Sequence, residues 1–215
     1  MIKACIFDLD GTLLDTVESI RFFMNKVLSE NGIRNISTAE TKVFVGEGVK
    51  VLAERSLKAA GLVSAELAEK IAAQFTEVYN SDPYYLTEPY PGIPEAIAEL
   101  KGRGLKLAVL SNKPDSAVQP LIKRYFGDSF DFVLGAGRFP RKPDPTSALY
   151  VCEYLGVEPS ETAYFGDTST DMLTANAYGA ARAVGVSWGF REREELFENG
   201  AHTVIDDASS IPSVI

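Results

Sequence analysis

Histidine, cysteine and tryptophan are scarce in this chain of 215 residues: one, two and one respectively. The lone histidine, His202, stands near the C-terminus before an apolar run, far from other metal-ligating residues, and reads as structural rather than as a ligand. Cys5 and Cys152 both fall within apolar periodic segments and read as small core residues, so a disulfide framework is not expected. Positive charge is also short, with 21 Lys and Arg against 30 Asp and Glu and a net charge of -9. That balance disfavours nucleic acid and anionic membranes as partners. Long apolar runs are missing too: Lys3 is followed by only four apolar residues before Asp8, which gives no secretory signal pattern and no membrane span. The expectation is a cytoplasmic protein, monomer or homodimer. Phosphate loops of the GxxxxGK[ST] kind are absent, and GAGRFP at 135–140 lacks the last glycine of a dinucleotide loop.

What the chain does hold is ordinary globular material, 46% hydrophobic and 24% charged, enough for one large domain or a core with a modest insertion. Short apolar runs at Ala4–Phe7, Leu105–Leu110, Phe132–Leu134, Ala163–Phe165 and Ala183–Val186 predict strands buried on both faces. Helical spacing lies between them, as in Val118, Leu121, Ile122 and Tyr125, and in Pro145, Ala148, Leu149 and Cys152. This alternation predicts an α/β fold, a Rossmann-like parallel sheet sandwiched by helices. Residues 16–87 interrupt it with three apolar helical stripes: Ile20 to Leu28, Val49 to Ala60, and Leu67 to Val78. Asp15 and Glu18 have capping-box spacing before the first, and Gly61 follows the second as a C-terminal glycine. The expected organisation is an α/β core from 1–15 and 88–215, with 16–87 inserted as a helical cap over the carboxyl end of the first strand. Open α/β sheets bind ligands there.

Four polar signals follow predicted strands or their loops: Asp8 and Asp10; Ser111 and Asn112; Arg141 and Lys142; and GDTSTD, with Asp167 and Asp171. In a parallel sheet these ends share one edge. Four carboxylates in one crevice repel strongly unless a cation compensates. Oxygen-only ligands favour Mg²⁺, whose sites leave positions for water and phosphate oxygens. A phosphorylated ligand follows, with Lys142 and the Ser111 hydroxyl holding its remaining oxygens and the Gly11 and Thr12 amides extending the cradle. Taken singly, DLDGT is also an acidic turn, Arg141 and Lys142 a solvated pair, and Asp167 or Asp171 a helix-terminal acid, Asp171 being the readier structural candidate.

The ordered set DLDGT at 8–12, LSN at 110–112, KPDP at 142–145 and GDTSTD at 166–171 resembles the haloacid dehalogenase superfamily. The insertion after the first motif, VFVGEGVKVLAERSL at 43–57 and SNKP at 111–114 are similar to the helical-cap branch that contains the phosphoglycolate phosphatases. The resemblance implies that Asp8 is a nucleophile forming an aspartyl phosphate and that Asp10 moves protons for the leaving group and the water. It implies Mg²⁺ bound by the Asp8 carboxylate, the Asp10 carbonyl and Asp167, with Asp171 in or just behind that set. The substrate it implies is a small phosphorylated metabolite, 2-phosphoglycolate first. Gly46, Glu47 and Gly48 mark a helix start and are candidate substrate contacts. Closure would hinge near Leu14–Thr16 and Leu86–Pro89.

Dehalogenation is disfavoured because relatives with that activity lack the second aspartate. A phosphosugar mutase or a pyrophosphatase on the same scaffold stays open, although TVESIRFFMN lacks the histidine that mutases resembling this chain carry. A phosphonate-cleaving relative would need a cap lysine, and Lys42, Lys50 and Lys58 lie in no matching context. A receiver-like phospho-aspartate signalling module uses similar groups, but follows a later strand and has no cap.

Overall fold

A computed structural model describes all residues, 1–215. The first strand, β1 (Ala4–Phe7), is buried along its whole length. Cys5 and Phe7 enter one apolar core while Ala4 and Ile6 enter another across the sheet. Burial on both faces is why this strand reads as an unbroken apolar run instead of an alternation.

After β1 the chain makes a short strand, β2 (Leu14–Asp15), and then four helices: α1 (Val17–Glu30), α2 (Thr38–Phe44), α3 (Val49–Ala59) and α4 (Ala65–Ser81). It returns through β3 (Glu88–Pro89), which pairs antiparallel with β2, so exit and re-entry lie side by side. There follow α5 (Ile93–Gly102), β4 (Lys106–Pro114), α6 (Asp115–Phe126), β5 (Phe132–Ala136), α7 (Thr146–Leu155) and β6 (Thr162–Gly166). The chain ends with α8 (Ser169–Tyr178), β7 (Arg182–Val186), α9 (Arg193–Glu198), β8 (Thr203–Ile205) and a final short helical turn.

The six long-range strands are ordered β5-β4-β1-β6-β7-β8, and every pairing is parallel. The chain builds to one side of β1 and then crosses to the other, so the order reverses at β1. Such a reversal opens a crevice beyond the carboxyl ends of the strands. Helices α5 and α6 cover one face through Ile93, Ile97, Val118 and Leu121; α7, α8 and α9 cover the other through Val151, Met172 and Leu196. Helices α1, α3 and α4 supply most of a third cluster, including Met24, Leu57 and Ile71, which Ala117 of α6 and Phe190 join from the sheet side. Asn25 fixes the α1–α2 connection by exchanging two hydrogen bonds with the Ile36 backbone, at 2.9 and 2.8 Å. No helix is long and apolar enough to cross a membrane.

Several local expectations need correction. Asp15 and Glu18 do not form a capping box; Glu18 instead accepts from Arg21 and Thr38. The reciprocal box belongs to Ser37 and Glu40 at α2, a helix the apolar stripes did not reveal. In α7 the buried face is Ala148, Val151, Cys152 and Leu155, because the helix begins after Pro145 and turns Leu149 outward. Strand β4 continues past Leu110 to Pro114, where an irregular register reaches Ala136. Strand β8, only three residues long, was not expected at all.

Candidate active site

Asp8 leaves the end of β1, Asp167 leaves the end of β6, and Asp171 stands in the first turn of α8. Because β1 and β6 are hydrogen-bonded neighbours with Phe7 level with Phe165, their next residues emerge together at the carboxyl edge. Oxygen atoms of Asp8, Asp167 and Asp171 all lie within 4.8 Å of one another, and all three residues are buried. Lys142 reaches the same point from the loop before α7: its ammonium is 2.7 Å from Asp171 Oδ1, 3.0 Å from Asp8 Oδ1 and 3.0 Å from Tyr164 Oη.

Three carboxylates face one ammonium here. At about 4 Å and an effective dielectric near 20, each repulsive pair costs roughly 4 kcal/mol, so the deficit of positive charge dominates the site. The acids respond accordingly. Burial, opposed by Lys142 and reinforced by Asp171 and Asp10, pushes the Asp8 carboxyl up to about 7. Burial, together with the charges of Asp171 and Asp8, lifts Asp167 well above the usual carboxylate range. For Lys142, burial alone would lower the ammonium, but Asp171 and Asp8 outweigh it and hold it above its ordinary value.

A divalent cation would relieve this repulsion without protonating the acids, and the donors suit a hard ion: buried carboxylate oxygens with no nitrogen or sulfur among them. Asp8 Oδ1 is buried and has only the Lys142 ammonium, 3.0 Å away, as a charged neighbour of opposite sign. The residues present therefore fit a magnesium-type ion.

The surrounding residues divide into those that face the cleft and those that brace it. Thr12 is buried and donates to Asp167 Oδ1 at 2.9 Å, while the Phe190 amide donates to Asp167 Oδ2 at 2.9 Å. The amides of Gly11 and Thr12, expected to be free for phosphate, are satisfied within the turn by Leu14 O and Leu9 O. A tight turn at Gly11, φ +83°, consumes them locally. Asp171 binds Lys142 with one oxygen and returns the other to the Thr168 amide and hydroxyl, so it serves helix capping and the charge cluster together. Ser111 lines the cleft. Asn112 acts as a brace: its amide nitrogen donates to Gly46 O and Lys142 O, and its oxygen accepts from the Lys142 amide.

Asp10 is placed differently from the other acids. Its carboxylate lies outside the three-acid cluster and accepts from the Lys113 ammonium at 2.9 and 3.1 Å. Gly46 and Gly48 line the cleft from the α2–α3 connection, whereas the Glu47 carboxylate turns away to pair with Arg55. Arg191 fastens that connection to the sheet side by donating to the carbonyls of Val43 and Val45.

Sequence reasoning missed three residues of consequence. Lys113 is buried with its ammonium 4.2 Å from the centre of the Tyr79 ring, joining a strand end to α4. Tyr79 falls on the buried face of α4 one turn past Phe75, but the expected stripe passed through Val78 instead. A Cβ on Gly189 would lie 2.4 Å from both Gly11 O and Asp167 Cβ, so glycine is required there by close approach. The one available signal for Lys113 was its place in SNKP at 111–114, within the stretch that carries the family resemblance.

The family description "Haloacid dehalogenase-like hydrolase" matches residues 5–185, from β1 through β7. The chain belongs to the haloacid dehalogenase-like hydrolase family. This hydrolase is 35% identical over 218 residues to the phosphoglycolate phosphatase of Rhodospirillum rubrum, covering 98% of this chain and 90% of that protein. It is 32% identical over 215 residues to the phosphoglycolate phosphatase of Pseudomonas putida, covering 97% and 78%. A crystal structure from Lactobacillus delbrueckii subsp. bulgaricus, described provisionally as a phosphoglycolate phosphatase, superposes with a TM-score of 0.93 at 33% identity, covering 99% and 98% of the two chains. These relatives are phosphatases, and this hydrolase groups with them.

Proposed function

We propose that this phosphatase is a Mg²⁺-dependent phosphomonoesterase that works through a phospho-aspartyl intermediate on Asp8, with 2-phosphoglycolate as its first candidate substrate. The observation that carries the reading is the meeting of Asp8, Asp167, Asp171 and Lys142 at one sheet edge, three buried carboxylates about one ammonium. Asp8, Asp167 and Asp171 would hold the ion, which when bound neutralises charge on the phosphoryl oxygens and lets dianion and carboxylate approach.

In the first displacement an Asp8 oxygen forms a bond to phosphorus as the bond to the ester oxygen breaks. Asp10, protonated, gives its proton to that leaving oxygen, releasing the alcohol. In the second, water attacks the phosphorus of the aspartyl phosphate, Asp10 takes the water's proton, and the bond to Asp8 breaks to give inorganic phosphate. Lys142 and Ser111 hold the phosphoryl oxygens through both steps. Asp10 must leave Lys113 to do this work.

Under this reading residues 1–15 and 88–215 form the catalytic core and 16–87 a cap that closes over substrate. The paired connectors β2 and β3 support that division, since both crossings occur at one place. A reducing cytoplasm suits the two unpaired, buried thiols.

The test is phosphate release from phosphoglycolate, hexose phosphates, nucleotides and pyrophosphate, ranked by kcat/KM, with and without chelator. Turnover should require the added ion and vanish in Asp8→Asn and Asp10→Asn while both variants keep the native fold. Borohydride reduction during turnover should convert Asp8 to homoserine, read by mass spectrometry. Undiminished turnover by Asp8→Asn would refute its assignment as nucleophile.

A further inference from the structure

The cleft beyond Asp8 is about 630 Å³, its open mouth included, and apolar side chains such as Ile20, Leu52 and Phe75 line its helical side, with Asp10, Ser111, Asn112 and Lys113 on the strand-end side. Its polar groups on α4 are few and mostly committed. Thr76 donates its hydroxyl to Ala72 O within the helix, and Asn80 donates to Ser116. A polyhydroxylated sugar would therefore find few free donors on the α4 wall, and a hydroxyl placed against Ile20, Leu52 or Phe75 would lose its water without replacement.

One corner is different. Lys113, only 9% exposed, brings a full positive charge to the cleft wall, with Asp10 as its single ion-pair partner. The ammonium sits over the face of the Tyr79 ring, 4.2 Å from its centre. Tyr79 Oη is itself buried and makes no hydrogen bond, although Tyr79 is 2% exposed and lines the same cleft. A buried hydroxyl without a partner is costly, and beside a desolvated ammonium it is a donor waiting for an acceptor. Lys142, the other buried cation, is already engaged by Asp8 and Asp171 on the phosphoryl side.

We propose that Lys113 and the Tyr79 hydroxyl form the specificity site of this enzyme, receiving a carboxylate carried on the leaving group of a small phosphoester. The inference rests on the phosphomonoesterase reading above and adds to it the residues that choose the substrate. Two donors in a buried corner of the cleft suit a group with two acceptor oxygens and one negative charge. The resting Lys113–Asp10 contact is then a placeholder for which the incoming carboxylate competes, and its displacement frees Asp10 for the ester oxygen. Because Lys113 comes from the end of β4 and Tyr79 from α4, the site is complete only while the helical unit sits on the sheet.

The test compares phosphoglycolate with ethyl phosphate, which is of similar length but has no carboxylate. Wild-type enzyme should favour phosphoglycolate in kcat/KM. Lys113→Met should shrink that preference about 30-fold and Tyr79→Phe about threefold, while Lys113→Arg keeps more of it than Lys113→Met. A merely structural role for Lys113 would lower both substrates together and leave the ratio untouched. A ratio unchanged in Lys113→Met and Tyr79→Phe overturns the proposal; should Lys113→Met fail to fold, the Tyr79→Phe ratio decides it. Wild-type enzyme that releases phosphate from no ester of the wider panel overturns the phosphomonoesterase reading itself, whereas activity on other esters with none on phosphoglycolate, or equal hydrolysis of phosphoglycolate and ethyl phosphate, overturns carboxylate recognition alone.

Discussion

Replacing Asp8 by Asn should make the metal-free protein more stable at pH 8 and have little effect at pH 4. Burial and the neighbouring acids lift the Asp8 carboxyl from its ordinary value near 3.8 to about 7. A carboxyl raised on folding holds a proton that the unfolded chain has already released. Its contribution to stability is therefore full below about pH 4 and is lost as pH rises through about 7. Complete ionisation of so displaced a group costs at most about 4 kcal/mol, and Asp167, displaced the same way, adds to the penalty. Urea unfolding in chelator at pH 5 and pH 8 measures it: wild type should lose about 1–4 kcal/mol between the two, and Asp8→Asn distinctly less. Added Mg²⁺ should flatten the wild-type pH dependence, since it supplies the missing positive charge. Equal losses in wild type and variant, or no effect of the ion, would refute the claim that an uncompensated acidic cluster governs this site.

Two further outcomes follow from the packing. Gly189→Ala should cost about 1–3 kcal/mol in urea unfolding and reduce thermal stabilisation by Mg²⁺, because its Cβ would press on Gly11 O and the Asp167 side chain; full retention of the ion's effect would contradict a role for this close approach. Leu86→Gly should raise the denaturation midpoint or leave it unchanged, since Leu86 occupies φ +50°, a conformation costing a non-glycine residue about 1–2 kcal/mol and partly offset by the greater freedom of the unfolded glycine chain. A fall of about 1 kcal/mol or more would mean that the exposed Leu86 side chain, not its backbone, matters at this connector.

The parts of the fold most legible in the sequence were those buried on both sides. Ala4–Phe7 and Ala183–Val186 announce themselves because every residue in them is buried, the exposed Arg182 standing just before the second run. Val204 and Ile205 are buried too, but three residues of strand are too few to stand out from a loop. Helix α2 did carry a signal, Ser37 followed by Glu40 three residues later, yet its burial is slight and no stripe drew attention to it. In the site, Asp8, Lys142, Asp167 and Asp171 were legible as acids and a base behind strand ends, and the structure brings them together. Thr12 and Asn112 also lie there, but they hold other site groups in place by hydrogen bonds.

Linear order fixed which side chains stand at the carboxyl ends of the strands, because strand burial and chain direction are local properties of an apolar run. Only packing decided the partners: that Asp10 turns to Lys113, that Glu47 faces outward to Arg55, and that Tyr79 brings an unpaired hydroxyl to the cleft. Those choices depend on Coulomb and hydrogen-bond energies between groups distant in the chain, which change steeply over an ångström and leave no periodic mark in sequence.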